Sequence, residues 1–124
     1  MIRSQLDEVP VYVTKDGSSI RELMHPAVHG NARQSLAEAS VPPGNVTLLH
    51  RHHESEELYF IISGTGRMTL GEEEFAIAAG DTILILPGTP HCLRNDGGET
   101  LRLLCACAPA YRHEDTEVMA INQP

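Results

Sequence analysis

The sequence predicts an all-β fold, a single jelly-roll barrel (a double-stranded β-helix) built of two sheets. Three observations lead there. Short segments rich in β-branched and apolar residues recur along the chain, with turn signals roughly every eight to twelve residues. Gly (10) and Pro (8) supply many turns, which suits short strands better than long helices. At 124 residues the chain holds one compact domain, a length that a double-sheet jelly roll fills.

The elements follow in order. Val9 to Val13 reads as an edge strand, Lys15-Asp16-Gly17-Ser18 as a turn and Ile20 to Met24 as a further strand, which His25-Pro26 breaks. Arg33 to Ser40 alternates small or apolar residues with polar ones and reads as a strand, although its alanines also permit a helix. After the loop Val41 to Asn45, Val46 to His52 is a strand and His53 to Glu56 a charged turn. Leu58 to Ser63 is a strand, Gly64-Thr65-Gly66 a tight turn, and Arg67 to Leu70 pairs with Glu74 to Ala78 across the tip at Gly71-Glu72-Glu73. Thr82 to Leu86 is a buried strand, His91 to Arg94 and Thr100 to Cys107 close the series, and the residues after Pro109 are polar and irregular. The organisation expected is an N-terminal arm over 1–30, the barrel over 31–108 and a tail over 109–124.

Composition excludes several functions. The chain carries 9 basic against 17 acidic residues, a formal charge of −8. A nucleic-acid binder needs a basic face to displace counterions, and anionic lipid repels an acidic chain, so neither nucleic acid nor membrane is an expected partner. No apolar run approaches the ~20 residues that cross a bilayer. Met1 to Glu8 lacks the apolar core of a secretory signal, so a cytoplasmic protein is expected. Cys92, Cys105 and Cys107 cannot all pair within one chain and read as small core residues.

Chemistry points to the seven histidines. His50 and His52 are two apart in a predicted strand, so both imidazoles project to one face. Glu57 lies past a short turn, where a hairpin folding back brings its carboxylate to the same place. Two imidazoles and a carboxylate suit Fe, Mn, Co, Ni or Zn. Farther on, Gly80-Asp81 opens a strand, Pro87-Gly88 turns, and His91 begins the next strand.

Together these segments resemble the paired motifs of the cupin superfamily. The first motif (Gly, five residues, His-x-His, three or four residues, Glu, six residues, Gly) is met by Gly44, His50, His52, Glu57 and Gly64. The second (Gly, five residues, Pro-x-Gly, two residues, His, three residues, Asn) is met by Gly80, Gly88, His91 and Asn95, with Leu86 in place of the usual Pro and Pro87 stiffening the turn instead. The resemblance covers about Arg33 to Cys107 and is to the small single-domain cupin 2 proteins. It implies one divalent transition metal (Fe, Mn, Ni, Co or Zn) held by His50, His52, Glu57 and His91, with positions open to water or substrate. It also implies a homodimer, and the first twenty residues are expected to add strands to the partner sheet. The function expected is an enzyme acting on a small organic molecule, dioxygenase-like. A sugar or sugar-phosphate isomerase or epimerase, or a non-catalytic small-molecule binding module, are the alternatives.

The remaining polar residues are weighed individually. Tyr59 shares strand parity with Glu57 and faces inward, as core packing or as a catalytic hydroxyl beside the metal. Glu56 is the alternate carboxylate if the hairpin register slips by one, and His53 faces solvent. His25, His29 and His113 read as surface histidines, with His25 and His113 able to approach the barrel mouth. Gln34 and Glu38 share one strand face and Arg33 and Ser35 the other; either pair can line the pocket. Met68 and Leu70 fill the barrel.

Overall fold

The structure, a computed structural model, describes residues 1–119. One sheet contains β1 (Val11–Val13), β2 (Ser19–Met24), β3 (Ser35–Val41), β5 (Glu56–Ser63), β8 (Thr82–Ile85) and β10 (Leu101–Ala108), in the spatial order β1-β2-β3-β10-β5-β8. The other contains β4 (His50–His52), β6 (Thr65–Leu70), β7 (Glu73–Ala78), β9 (His91–Arg94) and β11 (Thr116–Val118), in the order β11-β4-β9-β6-β7. The pairings are antiparallel. This is the expected all-β jelly-roll architecture, and Ser35–Val41 is a strand rather than a helix. No helix among the described residues is long and apolar enough to cross a membrane.

Period-two alternation builds the interior. Across the six-stranded sheet one inward row runs Ser35, Cys107, Glu57, Ile85, and the next runs Ala37, Cys105, Tyr59, Ile83. Ile61, Met68, Ile85, Leu101 and Leu103 are fully buried at the centre of the barrel, and Leu70 packs half-buried against them. Ser35, and not Gln34 or Arg33, is the residue of its segment that lines the interior. Glu38 is buried on the opposite face, under Arg21 and Arg102. Asn95 is buried with its polar atoms satisfied: its amide donates to the Val41 and Glu99 carbonyls, and its Oδ1 accepts from Gly97 N–H. It thereby braces the turn after β9 internally and ties it to β3.

Several sequence expectations need correction. The strand expected over Val46 to His52 is only His50–His52. Upstream, Thr47 bonds Leu93 through its N–H and its hydroxyl, and Leu48 N–H goes to the Asp16 carbonyl, so the segment spends its backbone groups on a loop as well as a neighbouring strand. The strand at Thr82–Ile85 is buried on one face only: it lies at a sheet edge, with Leu84 half exposed on the uncovered outer face, Ile85 buried inside and Ile83 half-buried against the core. Gly66 lies within β6 rather than in a turn. A Cβ there would meet the Arg94 carbonyl oxygen at 2.6 Å, so the glycine serves close backbone approach. Pro26–His29 forms a short helical turn, capped by His25 Nδ1 accepting from Ala27 N–H. The residues after Pro109 are not wholly irregular: Thr116–Val118 pairs with β4. The final five residues of the expected tail lie outside the described residues.

Candidate metal centre

The register of the second sheet brings the histidines together. His50 on β4 is the direct partner of His91 on β9, and their ring centroids are 4.2 Å apart. Strand parity puts His52 beside them, and all three are buried. One nitrogen from each ring lies within 4.8 Å of the others. Glu57 approaches from β5, also buried. Its Oε1 is 3.2 Å from His52 Nε2 and 3.4 Å from His91 Nε2.

Each imidazole is oriented through Nδ1. His50 Nδ1 donates to the Leu48 carbonyl and His91 Nδ1 to the Thr89 carbonyl, both at 2.9 Å. A carbonyl only accepts, so these nitrogens carry the proton. Thr116 Oγ1 spends its own proton on the Arg112 carbonyl and accepts from His52 Nδ1 at 2.9 Å. All three rings are therefore Nδ1–H tautomers with a lone pair at Nε2, the state that ligates metal.

Two donors about 2.1 Å from one ion stand about 3.0 Å apart at a right angle and about 3.4 Å apart at a tetrahedral one. The Glu57–His52 and Glu57–His91 separations fall in that range. Glu57 Oε1 and His91 Nε2 are buried without a hydrogen-bond partner among the described residues. Burying unpaired acceptors against one another is costly, and a cation placed among them satisfies all at once. The residues present thus fit a transition-metal ion. Burial acts to raise the Glu57 carboxyl; positive charge at His52 and His91 more than offsets it, to about 2, the part a bound cation would play with both rings neutral. Burial, and then the charge of His91, push the His50 imidazole down and keep it neutral.

Around these side chains lies an inner cavity of about 50 Å³, whose wall includes His50, Glu57, Tyr59 and Cys107. Tyr59 is buried, its ring edge-on to His91 at 6.0 Å between centroids. Burial and then Glu57 push its hydroxyl well above its ordinary value, so it keeps its proton. Cys107 Sγ is 3.3 Å from Glu57 Oε2. An outer cleft of about 630 Å³ shares Tyr12, Glu22 and Tyr111 with the inner cavity and adds His25, Arg112 and His113. The inner wall carries Asp16, Glu22 and Glu57, and no Lys or Arg among the described residues.

His53 points outward to Glu117, at 3.2 Å, and Glu56 is exposed on the outer face of β5. His25 and His113 line the cleft at the mouth, while His29 Nδ1 accepts from His25 N–H. Sequence reasoning missed four contributors: Asp16, Glu22, Tyr111 and Thr116. Tyr111 packs edge-on against His52, with 5.8 Å between ring centroids. The alternation Thr14-x-Asp16-x-Ser18 was the one local hint of a polar inward face.

The family model for the cupin domain matches residues 37–107. An uncharacterized protein of Methanocaldococcus jannaschii is 51% identical over 119 residues, spanning 96% of this chain and 95% of the relative. Among solved structures, the polyketide cyclase RemF from Streptomyces resistomycificus superposes with a TM-score of 0.82 at 22% identity, covering 99% of this chain and 88% of that one. A predicted oxalate decarboxylase from Thermotoga maritima gives 0.76 at 23% identity, covering 88% of this chain and 99% of that one. At such identities these two likenesses are of fold.

Proposed function

The chain belongs to the cupin domain family, and from that membership we propose that it is a metal-dependent enzyme acting on a small organic molecule, its mononuclear centre held by His50, His52, Glu57 and His91. One observation carries the reading: Nε2 lone pairs fixed by Nδ1 hydrogen bonds converge with a buried carboxylate oxygen that has no hydrogen-bond partner among the described residues. The cofactor is one divalent transition ion among Fe, Mn, Ni, Co and Zn. Bound there, such an ion supplies Lewis acidity or, as Fe, oxygen chemistry.

The wall supports a proton-transfer reaction such as isomerisation, elimination or decarboxylation. Tyr59, which keeps its proton, is the catalytic residue of this reading, a hydrogen-bond donor to a substrate oxygen beside the centre. Glu22, at the junction with the outer cleft, is the second proton-transfer group of this reading. Sugar phosphates and other dianions suit the inner cavity poorly, since phosphate binding wants Arg or Lys. Dioxygenase-like oxidation is the second reading, supported by the donor set alone.

A homodimer is part of the proposal. On the outer face of the six-stranded sheet Leu84, Leu58, Ala106 and Leu36 form one cross-strand row, with Phe60 and Leu104 in the next. Leu36, Leu58, Phe60 and Leu84 are exposed, a continuous apolar face suited to a second copy. Three free cysteines suit a reducing compartment, and we place the protein in the cytoplasm.

Elemental analysis of freshly purified protein, beside a variant with His50, His52, Glu57 and His91 all replaced by alanine, tests the centre. About one transition ion per wild-type chain and none in the variant is expected; an empty wild type that takes up no divalent ion overturns it. Oxygen consumption with diketones, hydroxy acids and thiols separates the two reaction classes. Turnover without oxygen uptake supports proton transfer, and stoichiometric uptake supports oxidation.

A further inference from the structure

The loop between β1 and β2 lies outside the residues matched by the family model, yet it carries a carboxylate to the wall of the inner cavity. Asp16 Oδ1 accepts three hydrogen bonds: from Thr14 Oγ1 at 2.6 Å, Ser18 Oγ at 2.7 Å and Ser18 N–H at 2.9 Å. No donor reaches Oδ2 among the described residues, and it stands 3.5 Å from His50 Nε2. The placement is braced. Leu48 N–H donates to the Asp16 carbonyl at 2.7 Å, while the Leu48 carbonyl accepts from His50 Nδ1 at 2.9 Å, so one residue fixes both groups. Lys15 Nζ anchors the same loop to the Thr116 and His113 carbonyls.

A turn anchor needs only Oδ1. The other oxygen faces a lone pair, because His50 Nδ1 already holds that ring's proton. Two acceptors held face to face in a cavity wall repel unless a cation lies between them. Their separation of 3.5 Å is slightly longer than the 3.2 and 3.4 Å of the Glu57–His52 and Glu57–His91 pairs and close to the tetrahedral span of two donors about 2.1 Å from one ion.

We infer that Asp16, through Oδ2, supplies a second carboxylate to the metal centre, an inference that rests on the metal-site reading above. Two carboxylates and three neutral imidazoles cancel the charge of a divalent ion. With no Lys or Arg on the inner wall among the described residues, the loaded centre attracts no anion. The substrate class that follows is an uncharged oxygen donor, a carbonyl or hydroxyl compound, rather than a dianion.

The test is Mn(II) affinity by chelator competition on purified wild type, Asp16→Asn and Thr14→Val, with metal-free melting temperatures alongside. Asn keeps an acceptor for Thr14 and Ser18 and removes the charge. D16N is expected to melt near wild type without metal and to bind Mn(II) at least about tenfold more weakly. T14V, which loosens the loop but keeps the carboxylate, is expected to lose less. Equal affinity in D16N and wild type overturns the inference, as does an equal loss in T14V, which would make Asp16 a loop anchor only. If D16N does not fold, a crystal structure of Mn(II)-loaded wild type decides: Oδ2 on the ion supports the inference, and Oδ2 turned away from it overturns it. A wild type that binds no divalent ion brings down the metal-site reading itself, a different result from a loaded centre that ignores Asp16.

Discussion

Cys107 directs its thiol at Glu57 Oε2 across 3.3 Å, and the other carboxylate oxygen, Oε1, is the one turned toward His52 and His91. The two residues are cross-strand partners on β10 and β5, so the register of the sheet sets this contact. A thiol is a weak donor. Cys107→Ala is expected to weaken metal binding by about threefold to tenfold, and Cys107→Ser, which keeps a donor, to stay within about twofold. Chelator competition measures both; an unchanged affinity in Cys107→Ala shows that Glu57 needs no such brace.

Burial, and then the Glu57 carboxylate, push the Cys105 and Cys107 thiols far above the range in which they ionise. The thiolate is the reactive form. A thiol reagent at pH 8 is therefore expected to modify Cys92, which is half-buried, and to spare Cys105 and Cys107 until the chain is denatured. Peptide mass mapping checks this.

Metal binding is expected to weaken as pH drops through about 6, because ligand imidazoles must be neutral. His50 is pushed down by burial and by His91, so it stays neutral, and available, at lower pH than a free imidazole. Affinities measured at pH 7.5 and 5.5 should differ, with loss on the acid side; a pH-independent affinity contradicts imidazole ligation.

Glu22 Oε1 is buried without a hydrogen-bond partner among the described residues, while Oε2 accepts from the Tyr12 hydroxyl at 3.2 Å. Burial raises its carboxyl, against the opposing pull of His25. A raised folded value means that the folded chain holds this proton more tightly than the unfolded one. The resulting stability is present below the ordinary carboxylate range and is lost as pH rises through the folded value. Glu22→Gln is expected to remove that decline and to stabilise the protein at pH 7 by roughly 0.5–1 kcal/mol, allowing for solvent screening of a half-buried group. Urea titrations at pH 4 and pH 7 measure it.

Gly66→Ala places a Cβ 2.6 Å from the Arg94 carbonyl and 3.2 Å from Leu101 Cδ2. Backbone must move between β6 and β9, at a cost of about 2–4 kcal/mol. Because β9 carries His91, metal affinity is expected to fall along with the urea midpoint. Wild-type stability in this variant would mean that β6 and β9 yield without cost.

The part of the site legible in the sequence is the part with local grammar. His50 and His52 are two apart in a strand, Glu57 follows a tight hairpin, and His91 opens a strand after Pro-Gly; strand parity then orients Tyr59 as well. The fold was legible for the same reason, since alternation and turn residues are local. What escaped depends on pairing between distant segments. Thr116 reaches His52 only because β11 pairs with β4, and Asp16 reaches His50 only because Leu48 binds its loop. Asp16 was read as a turn residue, which it also is. Burial of Thr82–Ile85 was misjudged because an apolar run does not say whether both faces of a strand are covered.

The hydroxyl of Thr116 that steers the His52 ring belongs to a strand more than sixty residues downstream of it. A chain still emerging from the ribosome can possess every motif histidine and yet leave that ring free to rotate. If the centre takes up an ion as proposed, its final arrangement requires β11 docked on β4, so metal uptake is expected to follow that docking rather than precede it.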